Sequence, residues 1–358
     1  MRRYCLRNMK KITENQKVSL ESMRGIAAIA VFLAHTFQFI LARYHPEWYR
    51  TVGLIAQSSV MIFFVMSGYL IGVSIQNNIS RNGSFSMSEY AISRFHRIYP
   101  PLILSLIIIL IMAQIAPYVF ESGAQKFSTT VDEFIKGRGI FYWPSQILSV
   151  LTFTNGLLPQ GTPFNTPLWS LPFEAWYYVL AALLFTKRPF YILLAFILAY
   201  AISGANIKFM IFGSVWFAGL VLSLIEAKGK MHVAIACVLT AITSWFAFAN
   251  GSNFIVSGGD YTMYNMWFGL TFASLTYLFI LCMNIRINII PSSSRYSYTL
   301  YIVHYPIIMF MIGIFESRVM GGFYSALPIA LCAVVIALAF AYKASEYVEN
   351  PNLIKRFM

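Results

Sequence analysis

The sequence has 358 residues, of which 58% are hydrophobic and only 11% are charged, against about 25% charged in ordinary soluble domains. A composition this apolar excludes an ordinary soluble domain. The formal net charge of +13 fits either a nucleic-acid-binding protein or a membrane protein with charged loops, and the location of the charges decides between them.

Several apolar runs are candidates for membrane-spanning helices, which need roughly 20 residues each. The runs are residues 20–41, 52–74, 100–120, 167–186, 189–204, 208–226, 231–250, 264–284, 296–315 and 322–343. The fifth run is short and is separated from the fourth only by Lys187 and Arg188, so counts of nine and eleven also remain open. The sequence therefore predicts an all-α integral membrane protein, a polytopic bundle of about ten transmembrane helices.

The distribution of lysine and arginine predicts the orientation of these helices. With the N-terminus placed in the cytoplasm, the inner segments hold most of the Lys and Arg residues. Both termini are therefore expected to be cytoplasmic. A nucleic-acid-binding protein would need its positive charges on one continuous face, which repeated membrane crossings forbid.

The chain divides into a basic cytoplasmic N-terminal segment at 1–19, a transmembrane domain at 20–343 and a short cytoplasmic tail at 344–358. Two stretches outside the spans are long enough to matter. Residues 75–97 are expected on the cytoplasmic side, and residues 121–166 form the one large outer loop. Loops of that length are usually functional or disordered. Any chemistry is expected to be done by the membrane domain itself.

Arg24 and His35 lie in the first apolar run, LESMRGIAAIAVFLAHTFQFI. Eleven helical steps carry His35 about 16 Å along the axis and return it to within about 20° of the same face. An ionisable side chain at membrane depth is costly and indicates a functional site. In low dielectric His35 is expected to be neutral and thus a competent general base for a hydroxyl. The alternative is a histidine that hydrogen-bonds between helices for packing.

Arg94 and Arg97 stand in SRFHRIYPP at the inner mouth of the third run, three residues apart and hence neighbours on a helix. Arginine suits bidentate contact with phosphate. The alternative, for these two residues and for Arg24, is a positive charge that only anchors the topology.

Glu174 lies in NTPLWSLPFEAWYYVL, at the outer start of the fourth run. One interpretation is a helix-terminus carboxylate, with Ser170 or Leu171 as N-cap and Pro172 in the first turn. The other follows from its depth, about 10 Å or less below the outer surface, where a carboxylate orients the His35 imidazole or binds an acceptor hydroxyl. Both interpretations stay open.

His304 lies in SRYSYTLYIVHYPII on the ninth run, and Tyr301 precedes it by one turn on the same face. These side chains either line a cavity or form structural hydrogen bonds between helices, as tyrosine in a bundle often does.

Several catalytic motifs are absent from the sequence. It contains no G-x-S-x-G nucleophile elbow, no H-E-x-x-H zinc motif and no phosphate-binding P-loop. The four cysteines are scattered without paired spacing. The residues present suit base-assisted transfer to a hydroxyl and give little for metal or redox chemistry.

With these residues assembled, the chain resembles the acyltransferase 3 family of integral-membrane acyltransferases. The resemblance rests on R-x10-H from Arg24 to His35, FFVMSGYLIG at 63–72, RFHRIYP at 94–100, LWSLPFEAWYY at 168–178, LYIVH at 300–304 and EYVENP at 346–351. Each piece is weak alone, whereas six in the correct order are a strong signal. Ser67-Gly68 in the second piece favours close helix packing, although an apolar helix with Ser-Gly can also border a cavity. The closing piece departs slightly from the family pattern and is expected to lie away from the site.

The resemblance implies an enzyme that moves an acyl group, most often acetyl, from cytoplasmic acyl-CoA to a hydroxyl. The implied acceptor is a glycan or lipid-linked glycan, such as O-antigen or exopolysaccharide, and no metal is implied. The implied location is the bacterial inner membrane, where the chain would be a multi-pass protein in contact with the lipid bilayer.

The resemblance also implies roles for individual residues. It implies His35 as the catalytic base, with Glu174 as a second catalytic residue in an S-x-x-x-E pattern. The residues expected to hold the CoA phosphates are Arg24, Arg94 and Arg97. The residues expected to bind substrate are Ser170, Tyr301 and His304.

A proton-coupled secondary transporter of a small polar or glycan-related substrate is the alternative function. A ten-helix bundle with buried His and Glu also suits proton-coupled transport. Transporters usually show two matching halves with broken helices in equivalent positions, and the sequence has no such symmetry. Acyl transfer is therefore the favoured function.

Overall fold

The computed structural model describes residues 12–128, 132–157, 164–227 and 229–350. Of the residues that the structure describes, 81% are helical and none lies in a strand. In that part nine helices are long and apolar enough to cross a membrane, and the shorter apolar helix Pro189–Ala205 corresponds to the fifth predicted run. The prediction of an all-α polytopic membrane protein is confirmed. Most of the predicted N-terminal segment and tail lies outside the described residues.

Most helices follow one another through short connections; the longer ones are the outer loop and residues 283–296, which include the short 3₁₀ helix Pro291–Arg295. A π-helical turn at Phe37–Leu41 continues the helix Glu14–Thr36, and another at Thr276–Cys282 continues the helix Thr262–Leu275. In chain order the helices are α1 Glu14–Thr36, α2 Tyr49–Asn82, α3 Met87–Val119, α4 Pro144–Leu151, α5 Ser170–Phe185, α6 Pro189–Ala205, α7 Ile207–Leu224, α8 Lys230–Ser257, α9 Thr262–Leu275, α10 Ser297–Ile314, α11 Glu316–Met320 and α12 Phe323–Val348.

Helices α2 and α3 extend well beyond their apolar runs. The segment 75–97, expected as a stretch between spans, consists of the end of α2 and the start of α3, joined by residues 83–86. Gly83 has a φ of +73°, the left-handed conformation with which glycine commonly ends a helix. The sequence prediction used hydrophobicity alone, which marks the apolar part of a helix and not its polar turns. Arg94 and Arg97 are therefore helical residues.

The described chain forms two compact units, and α1, α2, α3 and α5 each contribute to both. The first unit comprises Met1–Ala27, Val60–Phe95 and Phe173–Ser293. The second unit comprises Ala28–Ser59, His96–Pro172 and Ser294–Met358.

In the first unit, α2 and α7 approach each other at glycine positions. A Cβ atom added at Gly68 would lie 2.0 Å from the backbone oxygen of Trp216, and one added at Gly219 would lie 2.0 Å from that of Val65. Only glycine permits so close an approach of two helix backbones. The predicted close packing at Ser67-Gly68 is confirmed, and it brings Ser67 beside the Trp216 side chain.

In the second unit, α10 is the most deeply buried helix and packs against α12. Pro306 lies inside α10 and has no N–H to donate to the carbonyl of Ile302, one turn earlier. That carbonyl instead accepts hydrogen bonds from Asn165 Nδ2 and Ser105 Oγ, both at 2.8 Å. The proline thus leaves one carbonyl of an apolar helix without its helical hydrogen bond, and side chains of two other segments donate to it.

We expect Asn165→Ala to lower the thermal unfolding midpoint, because it removes one of the two donors to the buried Ile302 carbonyl. The expected cost is about 1 to 3 kcal/mol. Pro306→Ala restores a backbone N–H at the same carbonyl, so the double variant should lose less than the sum of the single variants. Thermal unfolding of the four proteins in detergent measures this coupling, and strictly additive losses would contradict it.

Candidate active site

Two histidines meet in the second unit. His35 stands at the end of α1, immediately before the π-helical turn, and His304 lies on α10. His35 Nδ1 is 2.9 Å from His304 Nε2, the ring planes differ by 11°, and the ring centroids are 5.2 Å apart. A ring radius added at each end of the nitrogen–nitrogen distance gives about the centroid distance, so the rings meet edge to edge in nearly one plane. This geometry is that of a direct N–H···N hydrogen bond.

The two histidines differ in exposure. His304 is fully buried, whereas His35 keeps part of its surface accessible. Phe32 packs edge-on against the His304 ring at 5.8 Å, and Phe39 lies 6.0 Å from the His35 ring. Each imidazole therefore packs against a phenylalanine ring, which restricts its movement. Of the pair, His35 is the residue that a reacting group can reach.

Ser170 and Tyr301 form a hydroxyl pair beside His304. Their oxygen atoms are 2.7 Å apart, and the Tyr301 ring is centred 6.1 Å from the His304 ring. The Tyr301 hydroxyl donates its hydrogen to the backbone oxygen of Pro167 at 2.6 Å, so Ser170 is the donor within the pair. The structure therefore brings together the three residues predicted to bind substrate.

The outer loop supplies Arg138, which was not among the predicted site residues. Arg138 donates to the Tyr305 hydroxyl at 2.8 Å and to the backbone oxygen of Phe134 at 3.1 Å, and it lies 4.8 Å from the centre of the Phe39 ring. Tyr305 follows His304 directly in the sequence. The loop 121–166 thus contributes a guanidinium to the surroundings of the histidine pair. Part of this loop, including most of the PQGTPFNTP run, lies outside the described residues.

Glu174 belongs to a second polar cluster, which lies in the first unit. Its Oε1 accepts hydrogen bonds from Ser67 Oγ at 2.6 Å and from the Tyr178 hydroxyl. Trp216 Nε1 in turn donates to Ser67 Oγ at 3.1 Å. The sequence analysis missed Ser67, Tyr178 and Trp216 as partners of the carboxylate. That Glu174 orients His35 stays a prediction.

Arg94 also lies in the first unit, near the Glu174 cluster. One of its terminal nitrogens donates to Ser74 Oγ at 3.3 Å and to Ser93 Oγ at 2.9 Å. The guanidinium faces the rings of Tyr90 and Tyr178 at 5.7 and 6.0 Å. Its Nε is buried and has no hydrogen-bond partner within the described part of the chain, which is an unfavourable state for a donor.

Arg97 lies in the second unit and forms an ion pair with Glu349 at 3.2 Å. The Glu349 carboxylate also accepts from the backbone nitrogen and hydroxyl of Thr299 at 2.9 and 2.7 Å. The expectation that the closing motif lies away from the proposed site is therefore wrong, since its glutamate binds an arginine of the RFHRIYP motif. Sequence patterning could not show this, because the two residues are far apart in the chain.

Arg24 lies half-buried on α1 in the first unit, next to a close helix contact. A Cβ atom added at Gly25 would lie 1.7 Å from Ser293 Oγ, so α1 packs tightly there. Arg24 and His35 share the uninterrupted helix Glu14–Thr36, as their spacing predicts.

No group of three or more His, Cys, Asp or Glu residues suited to a metal ion occurs among the described residues. The side chains gathered around His35 are imidazole, hydroxyl, aromatic and guanidinium groups. The imidazole and hydroxyl groups donate and accept hydrogen bonds, the guanidinium donates them, and a neutral imidazole can also accept a proton.

The helices define a multi-pass membrane protein, and the histidine pair lies among them. The chain belongs to the acyltransferase 3 family, because the family model described as an acyltransferase domain matches residues 17–345. It is an acyltransferase. The family assignment favours the enzyme over the transporter alternative. The match ends before the closing motif at 346–351. No curated protein and no solved structure matches the chain.

Proposed function

We propose that this membrane acyltransferase moves an acyl group, most often acetyl, from cytoplasmic acyl-CoA to a hydroxyl of a cell-surface or exported glycan. The observation that carries the proposal is the histidine pair, in which the accessible His35 hydrogen-bonds to the fully buried His304. An imidazole held in this way suits deprotonation of a hydroxyl nucleophile.

In the proposed reaction His35 accepts the proton of the acceptor hydroxyl while that oxygen attacks the thioester carbonyl. The new carbon–oxygen bond replaces the carbon–sulfur bond, and His35 returns its proton to the departing sulfur. The acceptor leaves as an ester and the donor as the free thiol, so protons and bonds balance. Acyl-CoA supplies the activated carbonyl and a good leaving group. Glu174 is proposed to act on the acceptor hydroxyl or on the imidazole as a second catalytic group.

The donor side of the proposal rests on arginine chemistry. Arg94 is proposed as the main phosphate contact, because its guanidinium meets hydroxyls and aromatic rings, whereas that of Arg97 is paired with the Glu349 carboxylate. Phosphate oxygens are strong acceptors for a guanidinium. Arg24 is proposed to join Arg94 in binding the CoA phosphates. Arg97 is proposed as a third contact, although its ion pair with Glu349 also gives it a structural role.

The acceptor side of the proposal rests on the hydroxyl pair and on the outer loop. Ser170 and Tyr301 offer hydrogen-bonding groups of the kind that recognise sugar hydroxyls. Arg138, in the same unit, adds a positive charge that is hydrogen-bonded to the Tyr305 hydroxyl. The excess of basic residues in the inner loops supports an orientation in which this side faces away from the cytoplasm. The proposed setting is the bacterial inner membrane.

Incubation of the purified protein in lipid vesicles with acetyl-CoA labelled in the acetyl group tests the proposed function. The expected result is transfer of label to an added glycan preparation, with release of free CoA thiol. The His35→Asn protein serves as the blank. Uptake of an acceptor glycan without any release of thiol would contradict the proposal and favour transport.

Arg94→Ala is expected to raise the Kd for acetyl-CoA about 10-fold or more, since a hydrogen bond to a charged group is worth about 1.5 to 3 kcal/mol. Its effect on the thermal unfolding midpoint should be small. Arg97→Ala should raise that Kd less, and it should also lower the unfolding midpoint, because it leaves the buried Glu349 carboxylate without its ion pair. Calorimetric titration and thermal unfolding of both variants measure the contrast.

Glu349→Gln is the matched control for the arginine prediction. It should lower the unfolding midpoint as Arg97→Ala does and leave the Kd for acetyl-CoA unchanged, since the glutamate itself binds no phosphate. An unchanged Kd in Arg94→Ala would remove that residue from the donor site.

A further inference from the structure

The hydrogen bonds of His304 determine where its proton lies. Its Nδ1 is 3.0 Å from the backbone oxygen of Leu300. A carbonyl oxygen only accepts, so Nδ1 carries the hydrogen and donates it. In a neutral imidazole the other nitrogen, Nε2, then has a free lone pair.

The proton position in His304 fixes the proton position in His35. His304 Nε2 lies 2.9 Å from His35 Nδ1, and an unprotonated nitrogen must accept in that bond. His35 Nδ1 therefore carries the hydrogen, and the lone pair of a neutral His35 lies on Nε2. Which nitrogen of a histidine is basic is set in this way by the hydrogen bond of the other nitrogen.

The opposite arrangement requires a charged His304. If both nitrogens of His304 carried hydrogen, His35 Nδ1 would accept the hydrogen bond. The hydrogen of a neutral His35 would then lie on Nε2, which would no longer be the basic nitrogen. His304 is fully buried, and its described ring neighbours are Phe32, Tyr301 and His35. A buried charge is stable only with an opposite charge beside it. The neutral form of His304 is therefore the one consistent with its surroundings.

We propose that His304 is a positioning residue that holds His35 in the Nδ1–H tautomer and so makes His35 Nε2 the basic nitrogen. The inference rests on the proposed function, in which His35 is the general base. Both ring nitrogens of His304 are hydrogen-bonded within the protein, so we assign it a role that acts through His35 in place of the direct substrate contact predicted from the sequence. The chain runs from the Leu300 carbonyl through His304 to His35, and the near-coplanar rings align the N–H···N bond.

The same bond assists the charged state of His35. When Nε2 takes up the acceptor proton, the imidazolium still donates through Nδ1 to His304 Nε2. A hydrogen bond from a charged donor is shorter and stronger than one from a neutral donor. His304 thus stabilises the intermediate imidazolium without accepting its proton, and Nε2 remains the single site at which the proton arrives and leaves.

Solid-state NMR of the full-length protein in lipid bilayers, with carbon-13 and nitrogen-15 labelled histidine, tests the proposal. The chain has five histidines, and comparison with His35→Asn assigns the His35 signals. The expected result is a neutral His35 with hydrogen on Nδ1 and none on Nε2. A His35 that carries its hydrogen on Nε2 would overturn the proposal.

Two substitutions of His304 separate positioning from simple packing. Glutamine offers a side-chain oxygen near the position of Nε2, so His304→Gln should keep the Nδ1–H tautomer and much of the acyl transfer. Leucine offers no acceptor, so His304→Leu should lose the tautomer preference and reduce transfer about 100-fold or more, as a wrong histidine tautomer does. If His304→Leu lost acyl transfer while His35 kept its Nδ1–H tautomer, the positioning role would be contradicted and the proposed function would stand. The expected tautomers combined with a fully active His35→Asn would contradict the proposed function instead.

Discussion

His35→Asn is expected to reduce acyl transfer by about 10²- to 10⁴-fold, the contribution that a positioned general base makes. Asparagine suits the test, because its amide nitrogen takes the place of His35 Nδ1 and can still donate to His304. It lacks any equivalent of the basic Nε2. The variant therefore removes the proposed chemistry and keeps the hydrogen bond on which packing depends. Release of thiol from acetyl-CoA in the presence of a glycan acceptor measures the loss.

Two further proteins complete the His35 experiment. His35→Ala removes both the base and the hydrogen bond, so it should be as inactive as His35→Asn and have a lower unfolding midpoint. His45→Ala alters an exposed histidine that contacts exposed Glu47 and the ring of Phe323, and its acyl transfer should equal that of the unchanged protein. Binding of acetyl-CoA should be equal in all three, since none of them alters an arginine. Substantial transfer by His35→Asn would remove His35 as the base.

Sequence patterning predicted the fold because membrane helices are specified locally. Each span must be apolar over its own length, so hydrophobicity located the helices without knowledge of their neighbours. It failed at the ends of α2 and α3, where polar turns such as those around Arg94 continue the helix outside the apolar run. The cost of burying an ionisable group likewise singled out His35 from local sequence alone.

The partners of the site residues could not be predicted in the same way. His35 and His304 are 269 residues apart, and no local pattern states that their helices meet. The same holds for Arg97 and Glu349, which pair across most of the chain. Arg138 could not be predicted as a neighbour of the histidine pair, because no local pattern in a long loop states where a charged side chain points. Sequence thus identifies residues that are costly to bury, and only packing shows what compensates that cost.

Glu174→Gln is the second substitution for which we expect a large loss, about 100-fold or more in acyl transfer. Glutamine keeps the size of the side chain and an oxygen that accepts from Ser67 and Tyr178, and it removes the negative charge. If Glu174 only completed a hydrogen-bond network, the amide would serve nearly as well. If the carboxylate acts on the acceptor hydroxyl or on the imidazolium, the charge is required and the amide fails.

Stability provides the second half of the Glu174 test. A carboxylate among apolar helices is costly to keep out of water, so its neutral amide should unfold at the same temperature or a higher one. Tyr178→Phe is the matched control, because it removes one donor to Glu174 and keeps the charge, and it should lower stability more than activity. A fall in transfer without a fall in the unfolding midpoint marks a group retained for chemistry at a cost in stability. Parallel losses of both quantities in Glu174→Gln would instead make the carboxylate a structural acceptor, and the base would then act without it.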